Sequence, residues 1–262
     1  MQFAFDLISD LHVESWDGFD WAGQATSQIC VVAGDVARDR DILKQTLTHL
    51  GRCYQAVLYI DGNEEHKNYW DTLGSNFRNL ATMLKPIKNV VYLQDNVIVM
   101  NGVAILGTNG WWSWDFDTST EIEDSKFWFR NHYQCERIVV DAIDQMAHSD
   151  AGYLEASVRK LQTVPDVSRI VIVTHTVPEY ELLSHDIDLD GTHRINTMGN
   201  SMMEQVLAAD TENKISHWCF GHYHGSVDRI NNKIRYVNNC RGRGDTTYRQ
   251  VAYYPKRIEI NF

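Results

Sequence analysis

Seven residues that can bind a metal ion each follow a short apolar run of the sequence. The set contains two carboxylates, one amide and four imidazoles: Asp10, His12, Asp35, Asn63, His175, His222 and His224. This mixture of oxygen and nitrogen donors suits manganese, iron, zinc, cobalt or nickel. Seven donors are too many for one tetrahedral ion and about right for two ions that share a carboxylate. The pattern therefore predicts a two-metal site, an arrangement often used to hydrolyse phosphate esters.

The individual motifs differ in how much they indicate. DxH at residues 10–12 and GD at residues 34–35 are weak, because a lone Asp or His at a strand end more often satisfies a neighbouring polar group. GHxH at residues 221–224 is stronger, because alternate positions bring both imidazoles toward one centre. The occurrence of all these motifs in one chain argues against coincidence.

Runs of strand length precede these residues and must position them. FAFDLIS, QICVVAG, QAVLYIDG, RIVIVT and SHWCF are rich in β-branched or aromatic residues. Helical patterns lie between the early runs, at residues 39–52 and 66–84. This alternation predicts an α/β fold with buried strands, in which ligands gather at the carboxyl ends of the strands.

The middle and the end of the chain have a different pattern. Residues 90–108 indicate a strand followed by a hairpin, with turns at Asp95-Asn96 and Asn101-Gly102. Helical patterns follow at about 120–147 and 150–162, and β patterns return after residue 224, where GSVDRI, KIRYVNN, RQVAYY and RIEINF favour antiparallel strands. A sandwich of two sheets with helices outside fits this order better than a single parallel sheet.

Length and composition favour a single globular domain over residues 1–262. Hydrophobic residues make up 44% of the chain, only four residues are proline, and no low-complexity linker interrupts the sequence. The five cysteines show no CxxC spacing, which indicates free thiols in a reducing compartment. The first residues lack a basic segment before an apolar one, and no apolar run has membrane-spanning length. These features predict a cytoplasmic protein without a membrane partner.

The net charge of −11 limits the possible partners. An acidic chain repels polyanions, so extended contact with nucleic acid is not expected and a nuclease is disfavoured. A small phosphate ester remains compatible, because metal ions would supply positive charge locally.

The motifs resemble those of the calcineurin-like metallophosphoesterases. The similarity rests on DLH at 10–12, GDVARD at 34–39, GNEE at 62–65, THTVP at 174–178 and GHYH at 221–224, in the family's order. The tail VNNCRGRG, at 237–244, is similar to the end of a bacterial or phage-type single-domain subgroup. The resemblance implies a four-layer α/β/β/α sandwich of two mixed sheets flanked by helices, and a dinuclear centre that most often holds manganese.

The resemblance also implies how the ligands are divided. Asp10, His12 and His224 would hold the first ion, and Asn63, His175 and His222 the second. Asp35 would bridge them, because a carboxylate has two oxygens that can reach two ions. A water molecule between the ions would lose its proton near neutral pH, and the resulting hydroxide would attack phosphorus in line.

One position departs from the family's pattern. The residue after Gly-Asn is usually His, which is taken to assist the leaving group, whereas this chain has Glu64. Glu64 could act as a general acid if its pKa were raised. Alternatively, His66 could reach into the site as the proton donor, or the leaving group could be good enough to need none. The remaining alternative is that Glu64 faces solvent or caps a helix and that His66 lies on the surface.

Other residues suggest how a substrate could bind. Trp111 and Trp112 lie in an aromatic and acidic insertion near 109–135, where they could stack a nucleobase or anchor the insertion to the core. Arg241 could bind a phosphate, or its loop could be solvated. Residues 179–200 could form a lid, with His185 and His193 as possible contacts or as surface residues.

The sequence as a whole predicts a dinuclear metal-dependent phosphoesterase for small phosphodiesters or nucleotides. A phosphomonoesterase, including a protein phosphatase, is the alternative among enzymes. A phosphate-ligand binding protein weakened in catalysis, with Glu64 marking the lost chemistry, is the alternative from another class. The seven intact candidate ligands speak against that last possibility, because unpaired buried polar groups are costly.

Overall fold

The computed structural model describes residues 3–183, 192–245 and 252–262, and in these ranges eleven strands form two sheets. The strands are β1 (Phe3–Ile8), β2 (Ile29–Ala33), β3 (Ala56–Ile60), β4 (Val90–Tyr92), β5 (Asn96–Met100), β6 (Val103–Gly107), β7 (Arg169–Val173), β8 (Ile215–Phe220), β9 (Asp228–Asn231), β10 (Ile234–Asn238) and β11 (Lys256–Ile260). The helices are α1 (Arg40–Cys53), α2 (Leu73–Leu84), α3 (Ile122–Tyr133), α4 (Arg137–Gln162), α5 (Thr192–Ile195) and α6 (Met203–Ala208). Short 3-10 helices cover Val13–Ser15, Glu64–Thr72 and Tyr180–Leu182.

Both sheets are mixed, as predicted. The first has the strand order β11-β1-β2-β3-β4, with β1 to β4 parallel and β11 antiparallel to β1. The second has the order β5-β6-β7-β8-β10-β9, with parallel strands in the middle and antiparallel pairs at both edges. The parallel strands of both sheets therefore direct their carboxyl ends to the loops that carry the candidate ligands.

The two sheets pack face to face with helices outside. One buried cluster joins Leu7 and Val31 of the first sheet to Ile105 and Val171 of the second. A second cluster covers the outer face of the first sheet with α1 and α2, and a third covers the second sheet with α4 and α6. The layers follow the order α/β/β/α, which confirms the predicted sandwich.

The hairpin of β5 and β6 turns where the sequence indicates. Asn101 and Gly102 have φ angles of 50° and 81°, the left-handed values that a tight two-residue hairpin turn requires. Asn can adopt this conformation at little cost and Gly at none, which explains the choice of these two residues.

The long helical region is divided at a different place from the one predicted. The sequence suggested a break near 148–149, whereas α3 ends at Tyr133, Gln134 adopts a left-handed φ of 51°, and α4 runs without interruption to Gln162. Asp150 does not start a new helix, because its buried carboxylate accepts hydrogen bonds from the main-chain N–H groups of Gly110 and Trp111. A long-range contact therefore holds this residue inside α4.

The C-terminal third is not wholly antiparallel, which corrects the prediction. β10 pairs with β8 in parallel, while β9 lies antiparallel at the edge. The crossover is held by Asn238, whose side chain accepts from Val227 N–H and donates to Tyr223 O and Gly225 O. The predicted strand RQVAYY lies partly outside the described residues, and residues 252–254 are not in a strand.

Among the helices described, none combines the length and apolar character needed to cross a membrane.

Candidate metal centre

The candidate ligands all lie in loops that follow the carboxyl ends of parallel strands. These loops come after β1, β2 and β3 in the first sheet and after β7 and β8 in the second. Main-chain hydrogen bonds join neighbouring loops, from Asp10 N–H to Gly34 O at 2.9 Å and from Gly221 N–H to His175 O at 2.9 Å. The strand order therefore brings residues that are far apart in the sequence to one end of the sandwich.

Asp10, His12 and His224 form the first cluster. One potential ligand atom from each lies within 4.8 Å of the others. His224 Nε2 is 3.2 Å from Asp10 Oδ1 and 3.2 Å from His12 Nε2. Asp10 and His12 are buried, so a cation bound among the three would be largely screened from solvent. Two imidazoles and one carboxylate make a suitable donor set for a divalent ion.

Asp35, His175 and His222 form the second cluster, again with ligand atoms within 4.8 Å of one another. His175 Nε2 lies 3.3 Å from Asp35 Oδ1. The amide oxygen of Asn63 is 3.1 Å from the same nitrogen, so Asn63 extends this cluster by a neutral oxygen donor. The structure thus brings together all seven predicted ligands in two groups.

Asp35 lies between the two clusters. Its Oδ1 faces His175 of the second cluster, and its Oδ2 is 3.9 Å from His12 Nε2 of the first. Two oxygens directed at two clusters are the geometry that a bridging carboxylate needs, so the residues present fit a pair of metal ions.

Two imidazoles are fixed by hydrogen bonds to main-chain carbonyl groups. His175 Nδ1 lies 2.8 Å from Ala33 O, and His222 Nε2 lies 2.9 Å from Thr197 O. A carbonyl group can only accept, so each of these nitrogens carries the proton. The other nitrogen, Nδ1 of His222 or Nε2 of His175, is then the one available to coordinate a metal ion. On His175 that ion would replace the proton that Nε2 shares with Asp35 and Asn63.

The charges of the cluster keep its carboxylates ionised. Burial alone would raise the pKa of Asp10, but the hydrogen bond with His224 and the charge of His175 outweigh it and lower the pKa to about 2. Burial also acts to raise the pKa of Asp35, but the neighbouring His175 outweighs burial, and the pKa of Asp35 is lowered. The pKa of His175 rises to about 10 beside Asp35 although burial acts against it, whereas burial and the charge of His175 lower the pKa of His222 to about 4. The pocket thus attracts positive charge.

Backbone strain is concentrated at the candidate ligands. Four of them have left-handed φ angles: Asp10 at 51°, His12 at 41°, Asp35 at 52° and His222 at 63°. Each such conformation costs on the order of 1–3 kcal/mol for a residue other than glycine and is typical of functional sites. The surrounding hydrogen bonds hold these residues in place, with the Asp10 carboxylate accepting from His222 N–H at 3.0 Å.

Glu65 ties two of the loops together, a role that the sequence did not reveal. Its buried carboxylate accepts main-chain N–H groups from both loops: Asp35, Val36, Ala37 and Gly62. These bonds fix the loop after β2 against the loop after β3, and so fix Asp35 relative to Asn63. The only signal in the sequence was a second acidic residue directly after Glu64, and glutamate is mostly exposed in proteins, so the pattern did not indicate a buried role.

Glu64 is not exposed, but it does lie at a helix N-terminus, in the first turn of the 3-10 helix Glu64–Thr72. It is 5% exposed, and its carboxylate forms ion pairs with Arg38, with Lys67 at 3.2 Å and with Arg243 at 3.8 Å. Its main-chain N–H donates to Asp35 Oδ1 at 2.9 Å, which places it directly beside the candidate bridging residue. The sequence drew attention to this position but not to its three basic partners.

His66 is fully buried. This speaks against both alternatives drawn from the sequence, a proton donor that reaches the substrate and a surface residue. Its Nε2 lies 2.5 Å from Asp61 Oδ2, and its Nδ1 accepts from the Asn76 amide at 2.9 Å. Both nitrogens are therefore engaged inside the protein, so His66 is not a surface residue and has no proton to present to a substrate. It supports the start of the segment that carries Asn63 and Glu64.

The aromatic insertion is part of the core. Trp111 and Trp112 are 0% and 2% exposed and pack with Trp114 and Phe129, so the expected stacking of a nucleobase on them is not available. Trp112 instead stacks on the ring of His222, with centroids 6.0 Å apart. The aromatic residues therefore anchor the insertion to the core, which is the alternative that the sequence left open, and Trp112 in addition supports a candidate ligand.

Arg241 is half-buried and its guanidinium lies over the ring of Trp16, 4.1 Å from its centroid. Burial lowers its pKa, and its Nε has no hydrogen-bond partner among the described residues. Its main-chain N–H donates to Ser9 O, which places Arg241 near the candidate ligand Asp10. Its role in phosphate binding stays a prediction.

Of the predicted lid, residues 184–191 with His185 lie outside the described residues, and His193 stacks on Trp128.

Comparison with solved structures identifies the fold. The phosphopantetheinyl hydrolase (PptH) of Mycobacterium tuberculosis superposes with a TM-score of 0.71 over 97% of this chain and 95% of that chain, at 16% sequence identity. A putative 5'-nucleotidase from Staphylococcus aureus matches 93% of this chain and 49% of its own, at 14% identity and a TM-score of 0.46, which is too low to carry an argument. No family model and no curated protein matches the sequence. The chain has the calcineurin-like metallophosphoesterase fold, as its motifs predicted.

Proposed function

We propose that this protein is a dinuclear metal-dependent phosphoesterase that acts on small phosphodiesters or nucleotides. The observation that carries the proposal is the pair of donor clusters with the Asp35 carboxylate between them. Manganese is the expected ion, with iron, zinc, cobalt or nickel as alternatives. Two bound ions would supply a nucleophilic water of lowered pKa and would offset the negative charge that develops on the phosphate.

The protein's own residues would prepare the site for that chemistry. Asp10 and Asp35 stay ionised, and the carbonyl partners of His175 and His222 orient each ring so that its opposite nitrogen is the one that could coordinate an ion. Asn63 adds an oxygen donor without adding negative charge, which leaves the site attractive to an anion. Glu65 and the buried Trp112 restrict movement of the loops and of His222.

The preference for a small substrate rests on charge. The net charge of −11 disfavours long polyanions, while Arg38, Lys67 and Arg243 meet beside the candidate centre at Glu64. The phosphopantetheinyl hydrolase that shares this fold over 97% of the chain is named for a group that contains a phosphate ester, which is compatible with a small ester here. A phosphomonoesterase or protein phosphatase remains the alternative among enzymes, and a phosphate-ligand binding protein the alternative outside them.

The proposal is tested with purified protein loaded with manganese. Hydrolysis of bis-p-nitrophenyl phosphate is compared with that of p-nitrophenyl phosphate for the wild type, Asp35→Ala and Asp141→Ala. Asp141 is a matched control, because it is 54% exposed and its one ion pair with a described residue is to Arg137 on α4. We expect a faster reaction on the diester, abolished in Asp35→Ala and retained in Asp141→Ala.

The other outcomes separate the alternatives. Faster hydrolysis of the monoester would favour the phosphomonoesterase. A wild type inert with every one of the five metals would refute the catalytic proposal and favour the binding protein, which calorimetry with inorganic phosphate would then detect.

A further inference from the structure

Glu64 holds two cations at the edge of the candidate metal centre. Arg38 donates to Glu64 Oε2 from Nη2 and, at 2.9 Å, from Nε. Lys67 Nζ donates to Glu64 Oε1 at 3.2 Å. The Glu64 side chain is 7% exposed, whereas those of Arg38 and Lys67 are 30% and 29% exposed. The carboxylate is thus beneath the surface, and the two cations reach solvent.

These cations are anchored on the same loops as the candidate ligands. Arg38 lies three residues after Asp35, and Glu64 directly follows Asn63. The main-chain N–H of Glu64 donates to Asp35 Oδ1 at 2.9 Å, so the two loops are joined at this point. The backbone that carries the cations is therefore fixed relative to the candidate ligands.

Both cations have donors left for another partner. Arg38 uses its Nε and Nη2 for Glu64, and its Nη1 makes no hydrogen bond to a described residue. Lys67 has three N–H donors, gives one to Glu64, and packs over the ring of Tyr133 at 5.3 Å from the centroid. Oxygen atoms of an anion are the natural partners of such donors.

Other charged groups lie nearby and do not change this arrangement. Arg243 is 3.8 Å from Glu64 and 3.5 Å from the exposed Asp245. The exposed Glu14 accepts the main-chain N–H of Arg38. Both of these acids are solvated, so they screen the cations weakly compared with the buried Glu64.

We infer that Arg38 and Lys67 form a cationic subsite for the oxygens of the phosphate ester, with Glu64 as its positioning residue. The inference rests on the proposed function and names how the same site handles the leaving group. When the P–O bond breaks, the leaving oxygen keeps the electron pair, and the fixed charges stabilise it until it takes a proton from water. The subsite thus replaces the proton donor expected after Gly-Asn by electrostatic stabilisation.

The test uses a series of diaryl phosphates from dinitrophenyl to phenyl, with manganese-loaded protein. Arg38→Ala should lower kcat/KM by about 10²-fold, the loss typical of one electrostatic donor, and the loss should grow as the leaving group becomes poorer. Arg38→Lys should lose less, because it keeps the charge without the paired donors. Lys67→Ala should lose activity with the same leaving-group trend, and Glu64→Gln should lie between Arg38→Ala and the wild type.

A binding measurement provides a second readout. Calorimetric titration with inorganic phosphate should give a weaker affinity for Arg38→Ala than for the wild type, with the melting temperature as the check on folding. Arg159→Ala is the control, because this arginine is 65% exposed on α4 and, within the part of the chain that the structure describes, its ion pair is with Glu155. It should match the wild type in both assays.

The outcomes distinguish this inference from the proposed function. An active wild type with an Arg38→Ala variant of unchanged kinetics and phosphate affinity would overturn the subsite and leave the phosphoesterase intact. A loss that is equal for every leaving group would also overturn the role at the leaving oxygen. A wild type inert on all diesters would refute the proposed phosphodiesterase activity, and phosphate affinity that depends on Arg38 would still support the subsite.

Discussion

Substitution of Gly62 by Ala should disturb the candidate centre without unfolding the protein. A Cβ atom at Gly62 would lie 2.1 Å from Asp35 Oδ1, 2.6 Å from Asp35 N and 2.8 Å from His175 Cε1. Non-bonded atoms do not approach to 2.1 Å, so either the loop after β3 or the Asp35 side chain must move by about 1 Å. Neither is free to do so, because Glu65 holds the main-chain N–H groups of both Gly62 and Asp35.

The magnitude follows from the size of that displacement. Overpacking a rigid site costs about 1–3 kcal/mol, so the free energy of unfolding should fall by that amount. A displacement of about 1 Å at a catalytic group costs about 10²-fold in rate. Activity should therefore fall much more than stability, since Asp35 is the residue displaced.

Gly152→Ala is the matched control for this substitution. Gly152 lies inside α4, and a Cβ atom there would meet nothing within 4 Å. Replacing a helical glycine by alanine should raise the free energy of unfolding by about 0.5–1 kcal/mol and leave activity unchanged.

Thermal denaturation, manganese titration calorimetry and the diester assay measure these effects together. We expect Gly62→Ala to bind manganese more weakly and to lose activity, while Gly152→Ala melts at a higher temperature. A Gly62→Ala variant with wild-type manganese affinity and wild-type activity would refute the reasoning, because it would mean that Asp35 tolerates displacement or does not serve the centre.

Three further predictions follow from the same structure. Glu65→Gln should lower the free energy of unfolding by about 2–3 kcal/mol in urea denaturation, because an amide cannot accept four N–H groups; an unchanged value would contradict the role of Glu65. Manganese at 100 times its Kd should stabilise the wild type by about 2.7 kcal/mol, and the lack of any shift in melting temperature would argue against a metal site. Asp228→Asn should cost less than about 1 kcal/mol at neutral pH, because hydrogen bonds from Arg235 and Lys256 lower the pKa of this partly solvated carboxyl to about 2. Since the folded pKa lies below the unfolded value of about 3.9, that difference should be complete above the unfolded value and vanish as the pH falls through about 2; denaturation curves that differ equally at all pH values would exclude this origin.

Features encoded by neighbouring residues could be predicted from the sequence. Each strand that leads to a candidate ligand is a mostly apolar run, and polar residues mark the loop that follows it. The Asn101-Gly102 turn was equally predictable, because its left-handed conformations need residues of those two types. The meeting of the ligands at one edge followed from the parallel arrangement of the strands.

Features that depend on distant partners could not be predicted in this way. Asp150 looked like the start of a helix and instead lies within α4, because its carboxylate binds the main chain at Gly110 and Trp111. Trp112 looked available for a substrate, yet it packs behind His222. In both cases the residue type was compatible with two environments, and only the tertiary fold decides which of them it occupies.

Glu64 illustrates the same limit at the residue where the sequence departs from the motif of the metallophosphoesterases it resembles. A carboxylate beside a phosphate is repulsive when it stands alone, so a local interpretation suggests either an unusual pKa or lost chemistry. The structure supplies Arg38 from 26 residues earlier in the chain and Lys67 from one turn later. A carboxylate that holds two cations makes its surroundings attractive to an anion. The substitution therefore changes the means by which negative charge is accommodated and does not by itself imply that the capacity is lost.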